Sequence, residues 1–284
     1  MGIVHKVNVI HLAEMREIVK KSGKILFCFA MVAALVLSGL FLWRGNENST
    51  SAAAKEETAK KINSTLEKKM GAKEKSQIKV AIDAGHQLHA NSATEPVGPG
   101  AKTKKAKVSG GAVGVATKTP EYKLNLQVAK KLKKILLEKG YQVYMVRTSN
   151  NVNISNKQRA VRANKSGADI YIRIHADSSA SSSVRGASML YPSQKNPYVK
   201  SLSKPSKKLS DCILKSYCKT TGIKSRGLFT RDDLTGTNWS KIPVTLIEMG
   251  FLSNSAEDRY MQKDANQKKM AAGIAAGIDD YFGF

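Results

Sequence analysis

The sequence has little with which to build a disulfide scaffold. Its 284 residues include three cysteines. One of them, Cys28, lies inside a long apolar run, and Cys212 and Cys218 stand six apart on an expected helix, a separation that turns them to different sides. No cysteine pair has zinc-finger spacing. Aromatic residues are also scarce, at 6% with two tryptophans, and no nucleic-acid motif or base-stacking set is recognisable. Acidic residues number 22 against 47 lysines and arginines. Internal repeats are absent. These shortages exclude a knotted secreted mini-protein, a repeat array and a sequence-reading nucleic-acid binder.

What is present in excess is positive charge, +25 in formal terms. Such a balance suits an anionic setting, such as lipid headgroups or an acidic cell-wall polymer; for any single lysine a solvated surface explains the charge equally well. Long apolar runs are represented once, by Ile25–Trp43, nineteen residues without a charge. A spanning helix needs roughly 20 residues. Lys6, Arg16, Lys20, Lys21 and Lys24 precede it, so the positive-inside rule leaves the N-terminus in the cytoplasm and the bulk of the chain outside. The expected plan is a basic cytoplasmic segment (1–24), a transmembrane signal anchor (25–43), a polar linker or stalk (44–77) and a globular domain (78–284). Secretion after signal cleavage is the alternative, disfavoured by the long leader and by the lack of a small-x-small site just after Trp43. Around Ala59–Met70 the thin apolar face of Ile62, Leu66 and Met70, at a spacing of four, allows a weak interaction helix.

Within 78–284 strand and helix patterns alternate. Lys79–His89, KVAIDAGHQLH, reads as a buried strand that delivers His86 to a glycine-marked turn. Residues 87–118 read as a long loop without periodicity. Thr119, Pro120 and Glu121 read as N-cap, first helical position and first-turn acid of a helix ending at Gly140. Strands are expected at Gln142–Arg147, Asp169–His175 and Ile242–Met249, with an edge-like strand at Ala187–Tyr191. Helices are expected after Ser155, whose pairing with Gln158 makes a capping box, over Asn196–Thr220, after Asn254 and at the C-terminus. The segment carrying Gly222, Gly227 and Gly236 reads as a loop. Alternation of this kind argues for an α/β domain with helices on both faces of a largely parallel or mixed sheet.

Chemistry is sought at the strand ends. Of five histidines, His5 and His11 precede the apolar run, leaving His86, His89 and His175. His86 and His175 end predicted strands, Glu121 opens a helix and Glu248 ends a strand. Two imidazoles and a carboxylate are a known catalytic zinc set, and a further carboxylate can shuttle protons. Each residue also has a plainer role. A strand-end histidine can be a hydrogen-bonded structural residue, Glu121 can complement a helix dipole, and Glu248 can pair with Arg147 or Arg173.

The segments VAIDAGH, PEYKLNLQVAKKL, YIRIHADSS and PVTLIEMGFLSN, in that order, resemble the zinc-dependent N-acetylmuramoyl-L-alanine amidase family of the amidase-3 type. The resemblance covers nearly all of Ile78–Phe284. It implies a mixed, mostly parallel six-stranded sheet flanked by helices on both faces, zinc held by His86, Glu121 and His175, and Glu248 as the catalytic acid/base. It also implies hydrolysis of the amide between the lactyl group of N-acetylmuramic acid and the L-alanine of the stem peptide. The expected partners are peptidoglycan, anionic wall polymers through clusters such as Lys102–Lys107, and the bacterial cytoplasmic membrane; no nucleic acid and no second subunit is implied. Two departures stand out. Gln87 occupies a position where the family commonly has glycine, and the interval from His86 to Glu121 is enlarged. His89 and Glu95 in that interval read as surface residues, with substrate contact a minor alternative; Asn238 and Trp239 read as groove borders or packing residues. A zinc peptidase cutting within the stem peptide and a catalytically silent wall-binding module are the alternative functions.

Overall fold

The apolar runs become the centre of a sheet. The computed structural model describes residues 57, 58, 61 and 74–284; the expected anchor and most of the stalk lie outside them. Strand β1 is Lys79–Ala84, and β4 (Gln142–Met145), β5 (Ile170–Asp177) and β8 (Val244–Phe251) run parallel to it. Strands β6 (Ala187–Tyr191) and β7 (Ser225–Thr230) run parallel to each other, and β6 pairs antiparallel with β8. The sheet order is β4-β1-β5-β8-β6-β7, so the mixed, mostly parallel six-stranded expectation holds.

Alternation along β1 and β5 divides the core. Val80, Ile82, Ile170, Ile172 and Ile174 face a large cluster. It is completed by helices α1 (Glu121–Glu138), α3 (Ser203–Thr221) and α6 (Asp264–Phe282) through Leu132, Ile213 and Ile274. Ala81 and Tyr171 point the other way, onto Ala160 and Ala163 of α2 (Asn156–Lys165). Both faces of the sheet are therefore covered. Full burial of an isoleucine contributes roughly 1.5–3 kcal/mol, and a slip by one residue would exchange the two faces. Register is thus fixed by β1 and β5 themselves.

Several local expectations change. Residues 87–118 are not a structureless loop: β2 (Asn91–Pro96) and β3 (Lys104–Val108) form a separate antiparallel hairpin with a register shift between Asn91 and Thr94. Its mostly exposed residues give no alternation to read. The glycine-marked segment contains β7 and a short helix α4 (Thr235–Asn238). As β7 takes the border, β6 is an interior strand rather than an edge. Pro120 is the N-cap of α1, in extended conformation, without a side-chain cap from Thr119, and Glu121 is the first helical residue. Helix α3 starts at Ser203, after a turn of 3₁₀ helix at Lys200–Leu202; Pro205, expected to break or kink the start, falls in its first turn, where a missing N–H is tolerated. The Ser155–Gln158 capping box is complete, and Asn254 accepts from the Glu257 amide ahead of α5 (Ser255–Gln262).

Candidate metal centre

Three elements end at one place. β1 hands the chain to Gly85 and His86, α1 begins at Glu121, and His175 lies near the end of β5. Gly85 makes the approach of the histidines possible, since a methyl group there would overlap the His175 ring. The two imidazole rings lie 4.8 Å apart, edge to face. Glu121 stands between them, Oε2 at 3.2 Å from His86 Nε2 and Oε1 at 3.1 Å from His175 Nδ1. One ligand atom from each of the three residues lies within 4.8 Å of the others. Strand register supplies the fourth group: His175 pairs directly with Glu248 across β5 and β8. Glu248 shares its face of β8 with Leu246, and both line a cavity of about 350 Å³ with His86 and His175.

The surroundings hold these groups in place. Glu121 accepts from the amides of Ala112 and Ala176 and from Asn125 Nδ2, at 2.9, 3.2 and 3.0 Å. Asn125 lies one turn along α1, on the same face. His86 takes a left-handed φ of 58°. Its Nδ1 lies 2.9 Å from the Ser109 carbonyl oxygen; a carbonyl can only accept, so Nδ1 carries the proton. Arg147 donates to the carbonyls of Ala84, Gly85 and Tyr122, tying the histidine turn to the start of α1. Arg159 donates to the His86 carbonyl and to Gln87 Oε1, at 2.9 and 3.0 Å. Beneath the turn, Asp83 accepts from Arg159, Arg173 and Tyr171.

These residues fit a divalent cation. With its proton on Nδ1, His86 turns a lone pair at Nε2 toward an oxygen of Glu121, an opposition that needs a positive species between them. His175 Nε2 and Glu248 Oε2 are buried without a hydrogen-bond partner among the described residues. Burial pushes His175 down to about 4, against its hydrogen bond with Glu121, so the imidazole is neutral and offers a lone pair at pH 7. Burial would raise Glu121, but its hydrogen bond with His175 outweighs this and holds it well below the usual carboxylate range. Glu248 is driven the other way: burial first, then the carboxylates of Glu121 and Asp177, raise it well above that range. Two carboxyls of opposite tendency in one site suit one ligand and one proton carrier.

His86, Glu121, His175 and Glu248 are thus brought together, whereas His89 is exposed and no ion pair of Glu248 with Arg147 or Arg173 forms among the described residues. Glu95 is buried and accepts from the Lys157 amide at the start of α2, so it is not a surface residue. Asn238 and Trp239 pack rather than border the cavity: Asn238 bonds Asn196 and the Asp232 carbonyl, and Trp239 donates to Pro96. Sequence reasoning missed Ser109, Asn125, Arg147 and Arg159. Only Asn125, four residues after Glu121, carried a readable signal.

Comparison with known proteins gives the family and the fold. The germination-specific N-acetylmuramoyl-L-alanine amidase of Bacillus subtilis (strain 168) is 31% identical over 188 residues, which cover 61% of this chain and 74% of that protein. The amidase LytC of the same organism is 26% identical over 162 residues, 57% of this chain but only 31% of LytC; the chain thus matches less than a third of that longer relative. Among solved structures, the amidase Ami1 of Mycobacterium smegmatis shares the fold with a TM-score of 0.66 at 24% identity, over 72% of this chain and 97% of Ami1. A family profile described as N-acetylmuramoyl-L-alanine amidase, Amidase_3, matches residues 80–280. With the match extending from β1 into the C-terminal helix, the chain belongs to the Amidase_3 family of N-acetylmuramoyl-L-alanine amidases.

Proposed function

We propose that this chain cleaves the amide between the lactyl group of N-acetylmuramic acid and the L-alanine of the peptidoglycan stem, with His86, Glu121 and His175 holding one zinc ion and Glu248 moving the proton. One observation carries the reading: the ligand atoms of the three residues lie within 4.8 Å of one another, beside a buried carboxyl. Peptidoglycan-hydrolysing amidase activity is the character of the family, and its members are zinc-dependent in general. Zinc bound there would supply Lewis-acid chemistry, acidifying water and polarising the scissile carbonyl.

The chain's own groups do the rest. Ser109 fixes the His86 tautomer, and Asn125 with the Ala112 and Ala176 amides keeps Glu121 from turning. Glu248 takes a proton from the attacking water as its oxygen bonds the lactyl carbon. It returns that proton to the L-alanine nitrogen as the carbon–nitrogen bond breaks. A raised carboxyl suits both transfers, since it binds a proton firmly enough to carry it and releases it to an amine.

Mass spectrometry of peptidoglycan digested by the zinc-loaded chain tests the reading. Free stem peptides beginning with L-alanine are expected, and none when a chelator is present. Fragments cut inside the stem would replace it with the peptidase reading.

The domain plan belongs to the same proposal. Residues 1–24 would lie in the cytoplasm, Ile25–Trp43 would anchor the chain, 44–77 would form a stalk and 78–284 would face the wall. No helix among the described residues is long and apolar enough to cross a membrane, and Ile25–Trp43 lies outside them. The formal charge of +25 favours contact with anionic wall polymers. Carbonate extraction of membranes and protease treatment of intact protoplasts test the plan: a chain retained by membranes and cut only from outside supports it. Release into the medium at reduced mass would replace it with cleavage and secretion.

A further inference from the structure

The cavity beside Glu248 has a second set of charged walls. Lys105, on hairpin strand β3, and Arg231 and Asp233, just after β7, line it together with His86, His175 and Glu248. Asp233 grips both cations: Oδ1 accepts from Arg231 Nε at 2.7 Å, and Oδ2 from Arg231 Nη2 and Lys105 Nζ, each at 2.9 Å. Arg231 thus presents its planar fork to a carboxylate in bidentate fashion, the arrangement that guanidinium groups use to recognise carboxylates. The cluster has two cations for one carboxylate, so positive charge remains.

Two neighbouring aspartates have different duties here. Asp232 is fixed: it accepts from the Ser193 amide and hydroxyl and from Asn196 Nδ2, and its carbonyl accepts from Asn238. That clip, with the Arg231 amide on the Tyr191 carbonyl at 2.9 Å, holds the backbone of the turn. The Asp233 carboxylate bears none of this load; the residue's carbonyl accepts from Lys105 Nζ at 2.9 Å and keeps that ammonium at the seat. The Asp233 side chain is 51% exposed, and those of Lys105 and Arg231 are 43% and 46% exposed, so its ion pairs are of the screened kind that exchanges readily. The backbone under Arg231 is rigid while the anion on it is replaceable.

We propose that Arg231 and Lys105 form a carboxylate subsite for the acidic residue that follows L-alanine in the stem peptide, and that Asp233 fills this subsite until substrate displaces it. The proposal rests on the amidase reading and deepens it. The stem's second residue is a glutamate joined through its side-chain carboxyl, which leaves an α-carboxyl that is either free or amidated. A free α-carboxylate matches the seat Asp233 occupies; the neutral amide leaves the positive charge uncompensated. The subsite therefore discriminates between walls by the amidation of that residue.

The test uses the full-length zinc-loaded enzyme and two synthetic muropeptides that differ only at this α-carboxyl, acid or amide. The wild type is expected to favour the acid in kcat/KM by about tenfold, as for one charge-assisted contact. Arg231→Gln should bring the acid-to-amide ratio near unity while zinc content stays at the wild-type level. Asp233→Asn should lower KM for the acid, because the internal competitor is removed. A wild-type ratio near unity, or a ratio unaltered in Arg231→Gln, would overturn the subsite. So would a raised KM in Asp233→Asn, which would make Asp233 a support for Arg231 rather than a plug. Calorimetric titration of the same two peptides into the zinc-loaded Glu248→Gln enzyme decides the subsite without turnover: preferential binding of the acid, lost when Arg231→Gln is added, supports it, and equal binding overturns it. If neither muropeptide is cleaved, the amidase reading fails, and the titration still decides the carboxylate seat.

Discussion

Arg159 and Asp83, 76 residues apart in sequence, form an ion pair of 2.7 Å that is wholly shielded from solvent. It lies directly under the turn that carries His86, and the same guanidinium holds the His86 carbonyl. Burial alone would raise the Asp83 carboxyl, but Arg159 and Arg173 overcome this and hold it far below its ordinary value. Removing one partner of such a pair costs about 3–5 kcal/mol, because a buried charge is left alone. Asp83→Asn is therefore expected to lose about that much in urea unfolding at pH 7. The sign with pH follows from the depressed carboxyl. Its contribution is complete above the unfolded value of about 3.9 and drains as pH falls toward the folded one. The gap between wild type and Asp83→Asn should accordingly narrow on acidification below about pH 4; a gap constant down to pH 2 would contradict the ion pair's role.

Division of labour within the site can be separated by metal content. Glu248→Gln removes the proton carrier but none of the three grouped ligands. Zinc should stay bound while hydrolysis falls by at least about 10²–10⁴-fold. His175→Ala removes a ligand, so zinc measured by atomic emission should drop well below that of the wild type. A fully loaded His175→Ala, or a Glu248→Gln enzyme turning over near the normal rate, would overturn the assignments.

How much of this was legible varies with how far burial imprints on sequence. The continuous runs VAIDAGH and DIYIRIH announce strands because both faces of β1 and β5 are covered. The histidines at their ends and the acids at Glu121 and Glu248 stood out from the apolar background. By contrast, β2 and β3 offer NSATEP and KKAKV, whose exposed side chains obey no pattern. Strand β7 has only Leu228 and Phe229 beside a glycine. Buried Arg159 and Glu95 looked like surface charges, and Arg147 like a partner for Glu248, because their actual partners are backbone groups and side chains that only the folded turns bring to them. The carboxylate seat at Arg231 joins residues 128 apart, a proximity created by the hairpin alone.

Gln87 stands where the family resemblance leads glycine to be expected, and its side chain does what no glycine can. Fully buried, it accepts from the Ile154 amide at 3.0 Å and from Arg159, and donates to the His89 carbonyl. Gln87→Gly would leave the amide and part of the guanidinium unpaired, at a cost of about 1–3 kcal/mol. Because Arg159 also holds the His86 carbonyl, zinc affinity should weaken as well, by up to about 10–100-fold. Urea unfolding of the metal-free chain and competition with a chromogenic chelator measure the two effects. A glycine variant equal to wild type in both would reduce Gln87 to a filler.

Helices α3 and α6 approach closely at glycines that the apolar pattern of the last helix did not single out. Gly277 of α6 lies so near α3 that a methyl group would overlap the Ile213 backbone and come within 2.7 Å of the Cys212 carbonyl oxygen; one at Gly273 would lie 2.8 Å from the Tyr217 Cα. Two effects oppose each other in Gly277→Ala. Helix propensity favours alanine by about 1 kcal/mol, whereas overpacking costs about 1–3 kcal/mol. The obstructing atoms are backbone, which cannot swing aside as a flexible side chain would, so the upper part of the cost applies. Net destabilisation of about 1–2 kcal/mol is expected in urea unfolding. Gly283→Ala tests a different property, since its φ of 86° is left-handed and no atom crowds the added methyl; any loss there reflects backbone strain alone. A neutral or stabilised Gly277→Ala would show that α3 and α6 can part without penalty, and that the two glycines do not set their separation.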